Sequence, residues 1–419
     1  MKNFYTTRYF LFRVKIKIEL IVYNIISFFL TIFFIIPAFF LRILKYFIHI
    51  RIGCIRNDVI GESVYNADYY LSEKKKQKKK TLDIFYFQEM NLIINKQLIK
   101  MLQDKFRIFF LFRYLDYASS LLYDSSEFKV DFGNGRDLNG NLYFSGPNFN
   151  FDNNENQNGL NFLRKIGFDI DKDKFICLTI RDDGYKKKVF THEFMNSKFW
   201  DYHNFRNANI ENYYDVSKEL LNKGYWVIRM GKFTNKKMNI NHSKFIDYSF
   251  SEYRDDFLDI WLMANCFFTI SNSTGIDEVA KIFRKPIVFT DMAYYFVPNL
   301  NLHSLTCFKK MTYKKSKKLI SLAEIIKKNY IELDKTNLFL ENGIELIDNS
   351  PKEIMETVLE MEKNLTYELN QSKETLELNE KFLKIYKTWK NYEKHHGFIH
   401  PKASISTSFL SQNKDWFLS

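Results

Sequence analysis

The sequence predicts an α/β protein of doubly wound parallel sheets, with an apolar, membrane-associated helix at its N-terminus. Three observations predict it. From residue 175 onward, short apolar runs of strand type alternate with helical stretches at the spacing of βαβ units. A turn of hydroxyls ending in glycine, Ser271-Asn272-Ser273-Thr274-Gly275, joins one such run to a helix-forming segment. Residues 20–41 carry no formal charge over 22 positions, enough to span about 30 Å of hydrocarbon as a helix.

In chain order, the apolar stretch holds Pro37 and is flanked by basic residues on both sides: Arg8, Arg13, Lys15 and Lys17 before, Arg42, Lys45 and Arg51 after. That symmetry fixes no orientation, and no small-residue cleavage site follows. The expectation is a monotopic or membrane-embedded anchor, with a true span or a greasy helix packed on the protein as alternatives. Residues 48–55 read as a strand, Asn57 to Glu62 as a turn able to open a helix, and 82–87 as a second strand. Residues 91–124 read as helical. The Asn/Gly-rich stretch 134–158 reads as a loop and domain boundary.

The second half is more regular. Strands are expected at 175–180, 225–230, 266–270 and 287–290, and helices at 209–223, 255–265 and 276–283. Gly224 closes the first of these helices. Asp255 and Asp256 suit the positive end of the second. Ser350-Pro351 opens a further helix as N-cap and first residue. A charged amphipathic helix covers 370–394. The domains expected are 1–47, basic and apolar; 48–165; 170–350; and 351–419, the last packing back on the N-terminal domain.

Charge placement narrows the partners. The net charge is +13, and residues 1–80 hold fifteen Lys/Arg against five Asp/Glu, leaving only +3 for the other 339 residues. A nucleic-acid protein spreads basic surface over its folded domain, so no nucleic-acid partner is expected. Basic residues beside an apolar stretch suit an anionic membrane surface, at roughly 1 kcal/mol per nearby Lys or Arg. The run Lys74-Lys75-Lys76-Gln77-Lys78-Lys79-Lys80 reads equally well as a solvated loop. Cys54, Cys177, Cys266 and Cys307 show no metal-ligand or CxxC spacing, so reduced and mostly buried thiols are expected.

Three strand ends present polar groups: Arg181 with Asp182 and Asp183, Arg229 with Gly231, and Ser271 with Ser273, Thr274 and Gly275. In a parallel sheet these ends share one edge, where exposed N–H groups meet helix N-termini and anions bind. Forked guanidinium groups and a hydroxyl/amide loop suit a diphosphate. Neighbouring carboxylates on an extended chain point opposite ways, so Asp182-Asp183 is a weak metal site. His203 lies in a segment able to overhang the edge, where a histidine can act as base or merely tether the loop. His395, His396 and His400 lack a carboxylate or cysteine to complete a metal set.

Together these segments resemble a family of bacterial surface-polysaccharide glycosyltransferases of two-Rossmann, GT-B-like design. The resemblance rests on Arg51-Ile52-Gly53 with Ile60-Gly61-Glu62, Cys177-Leu178-Thr179-Ile180-Arg181-Asp182 and Phe205-Arg206-Asn207. It continues through Gly224-Tyr225-Trp226-Val227-Ile228-Arg229-Met230-Gly231, the Ser271–Gly275 loop and Ile405-Ser406-Thr407-Ser408-Phe409-Leu410. It covers residue 50 to the C-terminus and is strongest over 175–290. It implies sugar transfer from a nucleotide-sugar donor to a glycan or lipid-linked acceptor, with donor phosphates in the C-terminal domain and acceptor on the N-terminal one.

On this resemblance the donor would be held by Arg181, Arg206, Asn207, Arg229, Gly231, Ser271, Ser273, Thr274 and Gly275. Glu62, His203 and Asp182 are the candidate catalytic residues. No cofactor or metal is expected, and the expected location is the cytoplasmic face of the inner membrane. The competing expectations are a sugar-nucleotide epimerase of the same fold and a non-catalytic membrane-surface binding protein.

Overall fold

The computed structural model describes residues 21–77, 80–89, 94–122, 125–132, 136–189 and 197–419. Arg8, Arg13, Lys15 and Lys17, and Lys78 and Lys79 of the lysine run, lie outside them. The described residues group into a small unit, those within 1–58, 76–94 and 99–132, and a large one, those within 59–75, 95–98 and 133–419.

The described part of the small unit opens with two apolar helices, Ile21–Phe33 and Ile35–Leu44, bent 42° at the break between them. Among the described residues no single helix is long and apolar enough to cross a membrane, although the bent pair together meets the length and composition. Two parallel strands follow, β1 (His49–Ile55) and β2 (Thr81–Phe87). Single parallel bridges extend them, Ile52 to Lys129 and Phe85 to Ile108. Arg51 and Asp83 face each other in register, with Nε 2.8 Å from Oδ1. Gly53 lies opposite Phe85, whose ring would stand 2.5 Å from any Cβ there. The expected Rossmann-like domain is thus a small parallel core. The helical stretch expected over 91–124 breaks after Lys96–Lys105, because the chain at 107–109 pairs with β2, and resumes as Phe112–Leu122. Leu115 and Ala118 of that last helix share a core with Ala38 and Leu41.

The large unit carries β3 (Phe175–Thr179), β4 (Trp226–Arg229), β5 (Phe245–Ile246), β6 (Thr269–Ser271), β7 (Ile287–Met292), β8 (Ser304–Phe308), β9 (Lys310–Tyr313), β10 (Ile344–Ile347) and β11 (Ser404–Ile405). Seven of these form one parallel sheet in the order β11-β8-β7-β6-β3-β4-β5, while β9 and β10 make a separate antiparallel pair. The core strands are buried throughout, as continuous runs such as Phe-Ile-Cys-Leu-Thr of β3 require when helices cover both faces. Helix Tyr214–Asn222 buries Val216, Leu220 and Leu221, and Gly224 follows it at φ 92°. Asp255 caps helix Asp256–Asn265 by accepting from Leu258 N–H at 2.6 Å. A reciprocal capping box of Ser350 and Glu353 starts helix Pro351–Thr366.

Several expectations change. The Asn/Gly-rich stretch holds helices Asn141–Ser145 and Asn153–Lys165, the second begun by a capping box of Asp152 and Glu155. It belongs to the large unit, because Gly159 packs against Trp261 so closely that a Cβ would meet the indole at 2.1 Å. Helix Ile60–Lys76 contributes its residues up to 75 to the same unit, where Asp68 accepts from Arg284 Nη1 at 2.6 Å. The C-terminal segment packs on this unit too, as β11 forms an edge of its sheet and Phe382, Phe409 and Phe417 fill the core beside Phe308. Cys54 is exposed and the other three cysteines are buried; all four are free.

Candidate active site

The sheet order places a topological switch point between β3 and β6: from β3 the chain builds outward through β4 and β5, then returns to β6 on the other side. Ligands of open parallel sheets bind at such points, outside the carboxyl ends of the strands. Arg181 follows β3, and the Ser271–Gly275 loop leaves β6, so the structure brings these two expected groups together.

Asn272 ties them. Its side-chain oxygen accepts from Arg181 N–H at 2.8 Å, and its amide donates to the Arg206 carbonyl at 2.9 Å. Arg206 comes from the 3-10 segment Ser197–Arg206. Its guanidinium donates to the Ser273 carbonyl and lies over the Tyr294 ring, 4.9 Å from the centroid. Ser273 adopts φ 65°, a left-handed conformation uncommon for a residue with a side chain. Thr274 Oγ1 lies 3.3 Å from Thr179 Oγ1, closing the loop back onto β3.

The electrostatics are unusual. Burial, and then the neighbouring Arg206 cation, push Arg181 down to about 10, so it still carries its charge at neutral pH. Among the described residues Arg181 makes no side-chain hydrogen bond or ion pair, and the Nε atoms of both arginines are buried without a partner. Behind the loop, Asp277 Oδ2 accepts from Ser271 Oγ at 2.6 Å and Thr274 N–H at 2.9 Å. Glu278 accepts from Lys281 at 2.6 Å, leaving Oε2 buried without a partner. Burial raises the Asp277 carboxyl and pushes Glu278 up to about 7. Near neutrality Glu278 is therefore only partly charged, and it offsets less of the positive potential than a free glutamate would.

The remaining expected residues divide. Gly275 meets the start of helix Ile60–Lys76, where a Cβ on Gly61 would lie 3.4 Å from the Gly275 carbonyl. Exposed Glu62, the next residue, therefore stands at the rim of the loop. His203 is half-buried three positions before Arg206, its ring against Tyr202 with centroids 3.9 Å apart. Asn207 keeps its side-chain oxygen buried and without a partner. Gly231 holds φ 149° at the end of β4, beside Thr234 and Ser249.

Two assignments need correction. Arg229 turns into the protein: its Nη1 is 2.6 Å from the Lys236 carbonyl and 3.0 Å from Asp247, and its side chain is 1 % exposed. It is a buried structural ion pair rather than a phosphate ligand. Asp182 accepts from Gly184 N–H at 2.8 Å and Asn235 N–H at 2.7 Å, so both oxygens are engaged in fastening loops. His396 bonds the Tyr386 hydroxyl at 3.0 Å and lies 3.1 Å from the Phe296 carbonyl, while the His303 and His400 rings stack. Burial pushes all three down to about 4. Among the described residues no three His, Cys, Asp or Glu are placed to hold a metal.

Asn272, Asp277, Glu278 and Tyr294 belong to this site, although sequence reasoning did not single them out. The carboxylates had a signal, since they directly follow the loop in the first turn of helix Asp277–Ile282. Tyr294 had none, being one aromatic among several after β7.

No protein-family model and no curated protein matches the sequence. Solved structures that resemble it include the ADP-heptose lipopolysaccharide heptosyltransferase II of E. coli, with 10 % identity over 57 % of this chain and 84 % of that one, at a TM-score of 0.29. A family 9 glycosyl transferase of Veillonella parvula gives 12 % identity over 77 % and 98 %, at 0.39. The UDP-GlcNAc 2-epimerase of Methanocaldococcus jannaschii gives 13 % over 80 % and 82 %, at 0.26. What the chain does has to be read from its own site.

Proposed function

We propose that the chain is a glycosyltransferase that moves a sugar from a nucleotide-sugar donor to a cell-surface glycan or lipid-linked acceptor. We place it at the cytoplasmic face of the inner membrane, held there by residues 1–47. The observation that carries the reading is the pair Arg181 and Arg206, two half-buried cations side by side at the switch point, neither in an ion pair among the described residues, next to the Ser271–Gly275 loop. Like charges held close together and partly desolvated, with no ion-pair partner, are costly unless a ligand supplies the opposite sign.

A nucleoside diphosphate fits that requirement. As the glycosidic bond to the donor breaks, negative charge builds on the leaving phosphate, and preorganised guanidinium and hydroxyl groups stabilise it. Arginine charge does here what a divalent cation does elsewhere, so the transfer is proposed to be metal-independent. The protonatable Glu278 behind the loop limits repulsion of the phosphates. Deprotonation of the acceptor hydroxyl falls to Glu62, at the rim of the loop, or to His203, on the segment that carries Arg206.

The test is thermal-shift melting of the full chain in detergent, with EDTA, against UDP-, GDP-, ADP-, CMP- and dTDP-sugars. Saturable stabilisation by one nucleotide, lost in both Arg181→Ala and Arg206→Ala, supports the reading. A protein that melts cooperatively and responds to none overturns it. Conversion of the donor without any acceptor would make the chain a sugar-nucleotide epimerase instead.

A further inference from the structure

Of the thirty exposed large hydrophobic side chains among the described residues, twenty-two lie in the small unit. Scattered exposed hydrophobics are ordinary, but a concentration of this kind marks a surface that is covered by something else. Most belong to the apolar helices Ile21–Phe33 and Ile35–Leu44, including Phe28, Phe29, Phe33 and Phe39. The others do not. Phe109, Phe110, Tyr117, Leu121 and Leu122 are exposed on and just before helix Phe112–Leu122, far along the chain from the N-terminal stretch.

The three helices are fixed together. Ala38 and Leu41 pack on Leu115 and Ala118, and Arg113 Nη1 donates to the Tyr23 hydroxyl at 2.8 Å. On helix Phe112–Leu122 the inward side thus carries Leu115 and Ala118. Tyr117 and Leu121, four residues apart, share the outward side, and Phe109 and Phe110 are exposed in the turn that leads into the helix. Lys105 and Arg107, both exposed, shortly precede Phe109-Phe110, while Arg42 lies in the last turn of the second apolar helix and Lys45 caps it, paired with Glu127 at 3.0 Å. An apolar face edged by tyrosines and cations matches the layering of a bilayer surface, where aromatic rings lie at headgroup depth and basic groups meet anionic lipid.

We infer that helix Phe112–Leu122 is a second membrane-contacting element, inserting Phe110, Tyr117 and Leu121 into the same anionic leaflet as the N-terminal helices. This rests on the membrane anchor proposed above but goes further: the small unit docks as a three-helix platform and does not hang from one N-terminal tether. A helix fixed to the parallel strands and immersed in lipid sets the depth of the small unit at the surface, which a flexible anchor cannot do.

The experiment adds one tryptophan at a time to the full chain, as Leu121→Trp, Tyr117→Trp, Phe29→Trp and, for comparison, Leu340→Trp, an exposed apolar position in the large unit. Emission above the five native tryptophans is followed in phosphatidylglycerol/phosphatidylcholine vesicles with brominated acyl chains. Bromine is expected to quench most of the added emission at positions 121, 117 and 29, and to spare position 340. Quenching at 29 but not at 117 or 121 overturns the inference and leaves the anchor standing. Quenching at none of the three overturns both. Emission at 117 and 121 that is blue-shifted without lipid and unquenched with it would assign the face to a second copy of the chain, and also overturns the inference.

Discussion

Arg181 and Arg229 stand at neighbouring strand ends of one parallel sheet, and the structure treats them in opposite ways. At β4 the cation is matched: Asp247 and the Lys236 carbonyl take up Arg229, and the group is sealed from water. At the switch point beside β3 the cations are unmatched, with Arg181 next to Arg206. The first arrangement serves the fold. The second burdens it, a cost that the proposed diphosphate would offset.

Removing each arginine separates these roles, and the largest effect is expected from the matched one. Arg229→Ala leaves Asp247 buried without its cation and should lower stability by about 3–5 kcal/mol, read by urea unfolding. A variant as stable as the parent would erase the distinction. Next come Arg181→Ala and Arg206→Ala, each expected to weaken nucleotide-sugar binding by about 1.5–3 kcal/mol, roughly 10- to 150-fold, in titration calorimetry. Stability should hold or rise. If either variant unfolds as early as Arg229→Ala, the unmatched cations are structural after all.

A smaller effect concerns Glu278, raised by burial from 4.5 to about 7. The fold favours its protonated form, so its contribution to stability falls as pH rises from 4.5 to 7. Glu278→Gln should therefore gain on the parent across that window in urea midpoints. A constant difference would mean that Glu278 titrates normally. His396 has the reverse sign. Burial pushes it from 6.5 down to about 4, so its contribution is complete above 6.5 and drains away as pH falls towards 4. His396→Gln should flatten that acid loss, and an unchanged slope would place the proton elsewhere.

Much of the second sheet was legible because its buried strands are continuous apolar runs and its turns are spelled in Gly, Ser and Asp. The loop at β6 was legible for the same reason. Arg229 was misread because the pattern of a strand end says nothing about what lies across from it. Asp247 follows β5, a strand of two residues with no periodic signal of its own. Tyr294 under Arg206, and Asn272 bridging Arg181 to Arg206, depend on segments far apart in sequence that only the sheet brings together. The stretch 134–158 looked like a loop because Asn and Gly dominate it, yet the Asp152/Glu155 box and the fit of Gly159 against Trp261 make part of it a helix.

The Arg284 guanidinium has a consequence for how the protein is made. It donates to the Asp68 carboxylate and to the carbonyls of Leu142, Gly146 and Ile282, so one side chain gathers segments up to 216 positions apart. The ribosome delivers Asp68 long before it reads the codon for Arg284. Asn148 emerges much earlier and donates to that acid through Nδ2 at 2.9 Å, but the charge pair closes only when the arginine follows. The charge that Asp68 brings early is answered by its opposite only late in synthesis.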